Sequence, residues 1–358
     1  LIEERGGAQG REPVMAKLIV IGNGFDLAHG IRSSYFAFRD HLQDRNAHLY
    51  ETLTRLADQD VWWNLEEGLA HIDLKVFIEN LLADYGLSES SSPYMNNGFD
   101  ISAARLVQWT LDRIVRQLTQ ELKEELRAWI LELDAQPASP VFDCIGWDDY
   151  IVSFNYTSTI ERLYDVLGPR ILYIHNRATK SLENFNFKWA IDQSPESMAD
   201  FLNDEPQVIF GHGQSACDRS VPAIPVGSVT YDHDLNTAYS LLSGAFEEAY
   251  QYYDLSRKQV KDILPMLESF LRSVDLVDEV LILGHSLASV DLDYFRLIAQ
   301  HAAHEVRYTI TYYGPQNKDE AARKSRHFVR HLDEVEFVDM ASPNRLVRQA
   351  GSGMDRDA

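Results

Sequence analysis

Cysteine is nearly missing from this chain: among 358 residues only Cys144 and Cys217 occur. Two thiols cannot frame a disulfide-bonded miniature domain or supply the four ligands of a zinc ribbon. Structural bridges and structural zinc are therefore not expected, and the compartment reads as reducing. Long apolar runs are missing as well. No stretch approaches the roughly 20 apolar residues that a membrane helix needs, and the first residues lack the charged-then-apolar order of a secretion signal. A cytoplasmic location without a membrane partner is the expectation. Positive charge is scarce, with 33 Lys and Arg against 55 Asp and Glu and a net charge of −22. Such a balance disfavours general binding to nucleic acid or anionic lipid, while leaving room for a local basic pocket. Internal repeats and low-complexity tracts are absent too.

What is present is an ordinary globular composition, 45% hydrophobic and 25% charged, on a chain long enough for a large core. The organising stretch is KLIVIGNGFDLAHG, Lys17 to Gly30. Leu18 to Ile21 form a short β-branched run, and a glycine-bearing turn follows at once, which predicts a buried strand entering a helix. Gly22 and Gly24 permit a close approach that a Cβ would obstruct, and the helix starting near Asp26 adds its dipole. A phosphate is the usual ligand of such a corner. The spacing is G-x-G-x5-G, however, and not the dinucleotide fingerprint, so a tight turn without a ligand fits the same residues.

Residues 1–14 are polar and read as upstream sequence outside the fold. Apolar spacings such as Leu65, Leu69, Ile72, Val76 and then Leu106, Leu111, Ile114, Leu118, Leu122 predict a helical insertion over about 49–135, interrupted by the loop SESSSPYMNNGFD. Within it Glu66 either sits solvated beside the packed Trp63 or turns toward a cleft. Tyr150 to Phe154 predicts a second strand and Thr157 to Leu167 a helix, placing Asn155 at the strand's carboxyl end, where open α/β sheets hold ligands. An Asn helix cap is the plainer alternative. RILYIH delivers His175 to the equivalent position, and QVIFGHGQ delivers His212. EVLILG opens into HSLASVDLDYF as another strand–turn–helix unit, VRYTITYYG and VEFVDM complete seven strands, and the tail from 342 to 358 reads as loose. Strands alternating with helices predict an α/β fold with a doubly wound, mostly parallel sheet in one domain over 15–341.

Taken together, IGNGFDLAHG, FNYTSTIE, YIH, IFGHG and GHSLASVDLDYF resemble the bacterial abortive-infection AbiH family. Their order is also similar to a divergent sirtuin-type NAD-binding domain, a Rossmann variant. That resemblance implies NAD as a substrate, with Asn155 serving the nicotinamide ribose and His175, or its rival His212, as the catalytic histidine. It implies a nucleotide seat from Gly22, Asn23, Gly24, Phe25, Asp26 and His29 on one side and Gly284, His285, Ser286 and Asp291 on the other, with Asp26, His29 and Asp291 as candidate ribose contacts. Two departures stand out. Asp26 replaces a small hydroxyl residue in the phosphate turn, and Asn176 replaces the glycine that follows the histidine. The activity implied is hydrolysis of the nicotinamide–ribose bond in anti-phage defence, with no metal, a small-molecule nucleotide and a phage-derived trigger as partners, and a homo-oligomeric assembly. Two alternatives remain: a serine hydrolase in which GHSLA is a nucleophile elbow at Ser286, with Asp319 and His327 or His331 completing it, and a non-catalytic nucleotide sensor.

Overall fold

The computed structural model describes residues 15–57, 59–87, 101–178, 210–211, 233–258, 260–274, 276–331, 334–341 and 346. The N-terminal extension, the SESSSPYMNNGFD loop up to residue 100, most of the fourth expected strand with His212, and nearly all of the C-terminal tail lie outside the described residues. The chain forms two compact units: one from residues 1–32, 134–206 and 260–358, the other from 33–133 and 207–259.

The first unit is α/β. Its strands are β1 (Met15–Ile21), β2 (Tyr150–Ser153), β3 (Ile171–Tyr173), β4 (Leu276–Leu283), β5 (Ala302–Tyr312) and β6 (Val335–Asp339). All pair in parallel in the order β3-β2-β1-β4-β5-β6, so six of the seven strands read from the sequence are found. The chain winds outward from β1 in one direction and, after β3, starts again at β4 on the other side of β1. β1 is central because it can afford no solvent on either face: Leu18, Ile19 and Val20 are fully buried. A continuous apolar strand of that kind suits a parallel sheet covered on both sides.

One face of the sheet carries Ile19, Ile21, Ile151, Leu281 and Leu283, packed with Phe25, Phe142, Ile160 and Tyr164. On the other side, the helices Val260–Ser273 and Leu292–His301 pack together and bury Leu267, Tyr294, Phe295 and Ile298. The expected helix after β2 is shorter than its apolar spacing suggested. It runs Thr159–Tyr164 and ends on Asp165, which takes a left-handed conformation at φ 52°.

The second unit is helical; its first helix runs Tyr35–Arg45, and Ser34 accepts a capping bond from the Ala37 N–H. Ile101–Arg116 packs on His233–Tyr250. Tyr252 and Tyr253 donate their hydroxyls to the carbonyls of Leu69 and Ile72 at 2.8 and 2.7 Å, tying the chain around residue 252 to the helical segment 65–74. Glu66 does not stand alone in solvent. Its Oε2 accepts from the fully buried Lys258 ammonium at 2.7 Å. No helix among the described residues is long and apolar enough to cross a membrane.

Candidate functional site

The carboxyl ends of β1, β2, β3 and β4 lie side by side, and the polar residues that follow them converge there. After β1 comes Gly22, followed by the helix Asn23–Ala28. Gly22 and Gly24 are required by close packing against the loop after β4. A Cβ on Gly22 would fall 2.7 Å from the Cα of His285, and one on Gly24 would fall 2.7 Å from the Cα of Gly284. Gly284, at φ +63°, reciprocates by leaving no room between itself and the Phe25 nitrogen. The main-chain donors of this corner are largely committed. The N–H of Gly22 donates to Leu283, that of Gly24 to Gly284 and that of Phe25 to Gly22, all at 2.8–3.0 Å. The glycine pattern is thus explained by interlocked loops, and those three amides do not stand open for a pyrophosphate.

Asn155 follows β2 and is 4% exposed. Its backbone is held by Ser153, whose hydroxyl accepts from the Asn155 N–H at 3.2 Å. Its side-chain amide is a different matter: neither Oδ1 nor Nδ2 has a hydrogen-bond partner among the described residues. The amide is therefore no helix cap, and the helix it precedes begins only at Thr159. Buried amides are nearly always satisfied, so an orphan one is a candidate for meeting something else.

His175 follows β3 and is equally buried. Its Nδ1 lies 3.2 Å from the Phe154 carbonyl, which can only accept, so the proton resides on Nδ1 and Nε2 is left with a lone pair in the neutral ring. That Nε2 lies 3.9 Å from Asp291 Oδ1. The other oxygen of Asp291 is 3.6 Å from Nε2 of His285, whose Nδ1 accepts from the Leu287 N–H at 2.9 Å. Two imidazoles therefore share one buried carboxylate. The Phe154 ring is wedged between them, 4.4 Å from His285 and 5.5 Å from His175, and Tyr156 stacks on His175 at 5.5 Å. Such a set can take up a proton at His175 Nε2 in a water-poor, aromatic surround.

Asp26 and His29 sit on the short helix after Gly22 and play unlike parts. His29 donates from Nδ1 to the Phe25 carbonyl and accepts at Nε2 from the Tyr164 hydroxyl, both at 2.7 Å. That hydroxyl in turn accepts from the N–H groups of Val141 and Phe142. Both nitrogens of His29 are thus engaged in an aromatic cluster with Phe25, Phe142 and Tyr164, and burial lowers the ring's proton affinity. Asp26 is 1% exposed, and its Oδ2 accepts from Thr157 at 2.6 Å, with Thr159 a further 3.1 Å behind. Its Oδ1 has no partner among the described residues. Burial raises the Asp26 pKa to about 6, against the two threonine hydroxyls, which lower it, and with help from Asp134.

Ser286 is placed differently from a nucleophile elbow. It is exposed, the positive φ falls on Leu287 at 51°, and no α-helix starts until Leu292, after a 3-10 turn over Ser289–Asp291. Among the described residues no hydrogen bond joins it to Asp319, His327 or His331, while its carbonyl accepts from Lys324 at 2.9 Å. It is His285 that turns inward. Asn23 opens its helix and is exposed. No cluster of metal-binding side chains occurs among the described residues.

His175, His285 and Asp291 are therefore brought together at the carboxyl edge of the sheet, Asp26 is joined there to the loop that carries Asn155, and Gly22, Gly24 and Gly284 supply the close packing between the β1 and β4 loops. Sequence reasoning passed over Thr157 and Thr159. In FNYTST they stand two and four positions after Asn155, Thr157 in the bend after β2 and Thr159 at the first position of the next helix. It also passed over Phe154, whose wedge role a sequence does not reveal.

A family model described as "Bacteriophage abortive infection AbiH" matches residues 18–312, which spans every one of these groups. No curated protein and no solved structure matches the chain.

Proposed function

The chain belongs to the bacteriophage abortive infection AbiH family, and on that premise we propose that it acts in phage defence by hydrolysing the nicotinamide–ribose bond of NAD. One observation carries the reading: a buried carboxamide with both polar atoms unmatched stands among strand ends that also bring His175 and Asp291 inward. The sheet supports it, because a parallel sheet whose order reverses beside β1 offers a ligand crevice at the carboxyl ends of β1 and β4.

In the proposed reaction the bond from ribose C1′ to the nicotinamide nitrogen breaks, and its electron pair leaves with nicotinamide. Water adds at C1′ and gives its proton to His175 Nε2, the nitrogen that the Phe154 carbonyl leaves unprotonated. The Asn155 amide can donate to one oxygen and accept from another, which suits it to hold water and a ribose hydroxyl at once. Asp291, whose two oxygens lie near both imidazoles, is placed to favour the positive charge that develops on His175. A suicidal activity needs silence before infection, so a phage-derived trigger is part of the proposal, as is a cytoplasmic, homo-oligomeric enzyme that needs no metal.

The test is release of nicotinamide from NAD by the purified full chain, alone and with extract of phage-infected cells. Wild type should release it, and Asn155→Ala or His175→Ala should not. If the wild type neither releases nicotinamide nor binds NAD by calorimetry under all of these conditions, the reading is refuted. Tight binding without turnover, indifferent to His175→Ala, would point to a sensor instead.

A further inference from the structure

The Asp26 carboxyl, a candidate ribose contact on the sequence, takes no part in the proposed hydrolysis, and its setting shows what it can meet. It is buried as deeply as the core, on a helix of only six residues, Asn23–Ala28. An anion there opposes a phosphate, and the corner's amides at Gly22, Gly24 and Phe25 already donate to carbonyls. The side chain is nonetheless held with care. Thr157 fixes Oδ2 at 2.6 Å and is itself backed by Thr159, so Oδ1 is left unmatched in a fixed direction. The same loop, two residues before Thr157, presents the unmatched Asn155 amide. An acceptor without a donor, pinned by Thr157, and an amide without partners two residues before that threonine form a seat for hydroxyl groups and a poor seat for phosphate oxygens.

We propose that Asp26 accepts a hydrogen bond from a ligand hydroxyl at Oδ1, so that the β1 corner receives the sugar of a nucleotide and not its phosphates. The assignment rests on the reading that this site binds a nucleotide. The groups facing Asp26 are Thr157 and Thr159 from the loop after β2, Asp134, which repels it, and Arg162 from the helix Thr159–Tyr164, which favours its ionised form. His29, on the same helix, is turned to Tyr164 and Phe25. An ionised carboxylate accepts at both oxygens, whereas the neutral acid turns one of them into a donor. Affinity should therefore fall as acid protonates Asp26, with a midpoint near its value of about 6.

Calorimetric titration of the full chain with NAD, and separately with inorganic pyrophosphate, over about pH 5 to 8 tests this. With wild type, NAD affinity should fall about tenfold per pH unit below the midpoint. Asp26→Asn should weaken NAD about tenfold or more at neutral pH and abolish the pH dependence. Thr157→Val, which removes a bond that favours the ionised carboxyl, should move the midpoint upward, a shift that general damage to the fold would not produce. A sugar seat and a phosphate seat differ in sign. If Asp26→Asn tightens NAD or creates binding of pyrophosphate by removing a repelling charge, the proposal is overturned. It is equally overturned if Asp26→Asn leaves NAD affinity unchanged at every pH, since Oδ1 would then meet only a resident water. Absence of NAD binding to wild type itself would instead remove the nucleotide reading, and this assignment with it.

Discussion

Replacing Asn155 with leucine should stabilise the protein while destroying the proposed activity. The two side chains share the same branching and number of heavy atoms, and the site is 4% exposed, so the substitution trades a buried amide for bulkier buried hydrocarbon. Each buried polar atom left unmatched costs about 1–3 kcal/mol in lost hydration, and Asn155 carries two such atoms. The backbone does not depend on the amide, because Ser153 holds the Asn155 N–H through its own hydroxyl. Leucine removes the desolvation cost and adds apolar burial; imperfect fit against Phe154 and its neighbours takes part of that back. The expected net gain is about 1–2 kcal/mol. Urea unfolding at neutral pH measures it as a higher midpoint at unchanged slope, and nicotinamide release from NAD should fall to background in the same preparation. Loss of more than about 1 kcal/mol would refute the reasoning, since it would show that the carboxamide is a structural strut whose partners the substitution has orphaned.

Asp26→Asn should change how stability depends on pH. The folded carboxyl, at about 6, holds its proton more tightly than the unfolded one near 3.8. Its stabilising contribution is complete below the unfolded value and is lost as pH rises through the folded one, an amount on the order of 3 kcal/mol at neutral pH. The variant should therefore unfold at a higher denaturant concentration than wild type at about pH 7.5, with the difference vanishing toward about pH 4. Tyr164→Phe removes the donor to His29 and the acceptor of two backbone N–H groups, and should cost about 2–3 kcal/mol by thermal or chemical unfolding. In the helical unit, Lys258→Met leaves the carboxylate of Glu66 without its buried ammonium. A loss of about 3 kcal/mol is expected, and partial recovery in the double variant with Glu66→Gln would confirm that the pair is responsible.

The parallel sheet was legible because its strands are short apolar runs, each followed by a turn residue. LIVI before Gly22, VLIL before Gly284 and YIVS before Asn155 all carry that signature. Strand order was not legible, since nothing in β4 alone says that it returns to lie beside β1. Helical periodicity foretold the buried Leu65, Leu69, Ile72, Leu111 and Ile114, but it also included Val76 and Leu106, which are 50% and 47% exposed. Spacing identifies a face without saying where the neighbouring helix ends. Asn155 and His175 could be singled out because polar residues at strand ends face ligands in this class of fold. The meaning of the glycines was less accessible. A sequence shows that a Cβ is missing, and only coordinates show whether a ligand or another loop occupies the space. Ser286 carried the look of a nucleophile for the same reason: G-x-S-x-A gives spacing but not which of His285 and Ser286 turns inward.

The interlocked glycines at Gly22, Gly24 and Gly284 have a consequence for anyone who would graft or reshape this protein. Because the backbone of each loop fills the hollow left by the other, the two form a single moulded joint, although most of the chain lies between them in sequence. A chimera that imports a relative's version of 22–30 alone would meet the resident 284–287 loop as an obstruction. Both halves of the joint must be exchanged at once, and a library that varies them together should yield folded members where either varied alone yields almost none.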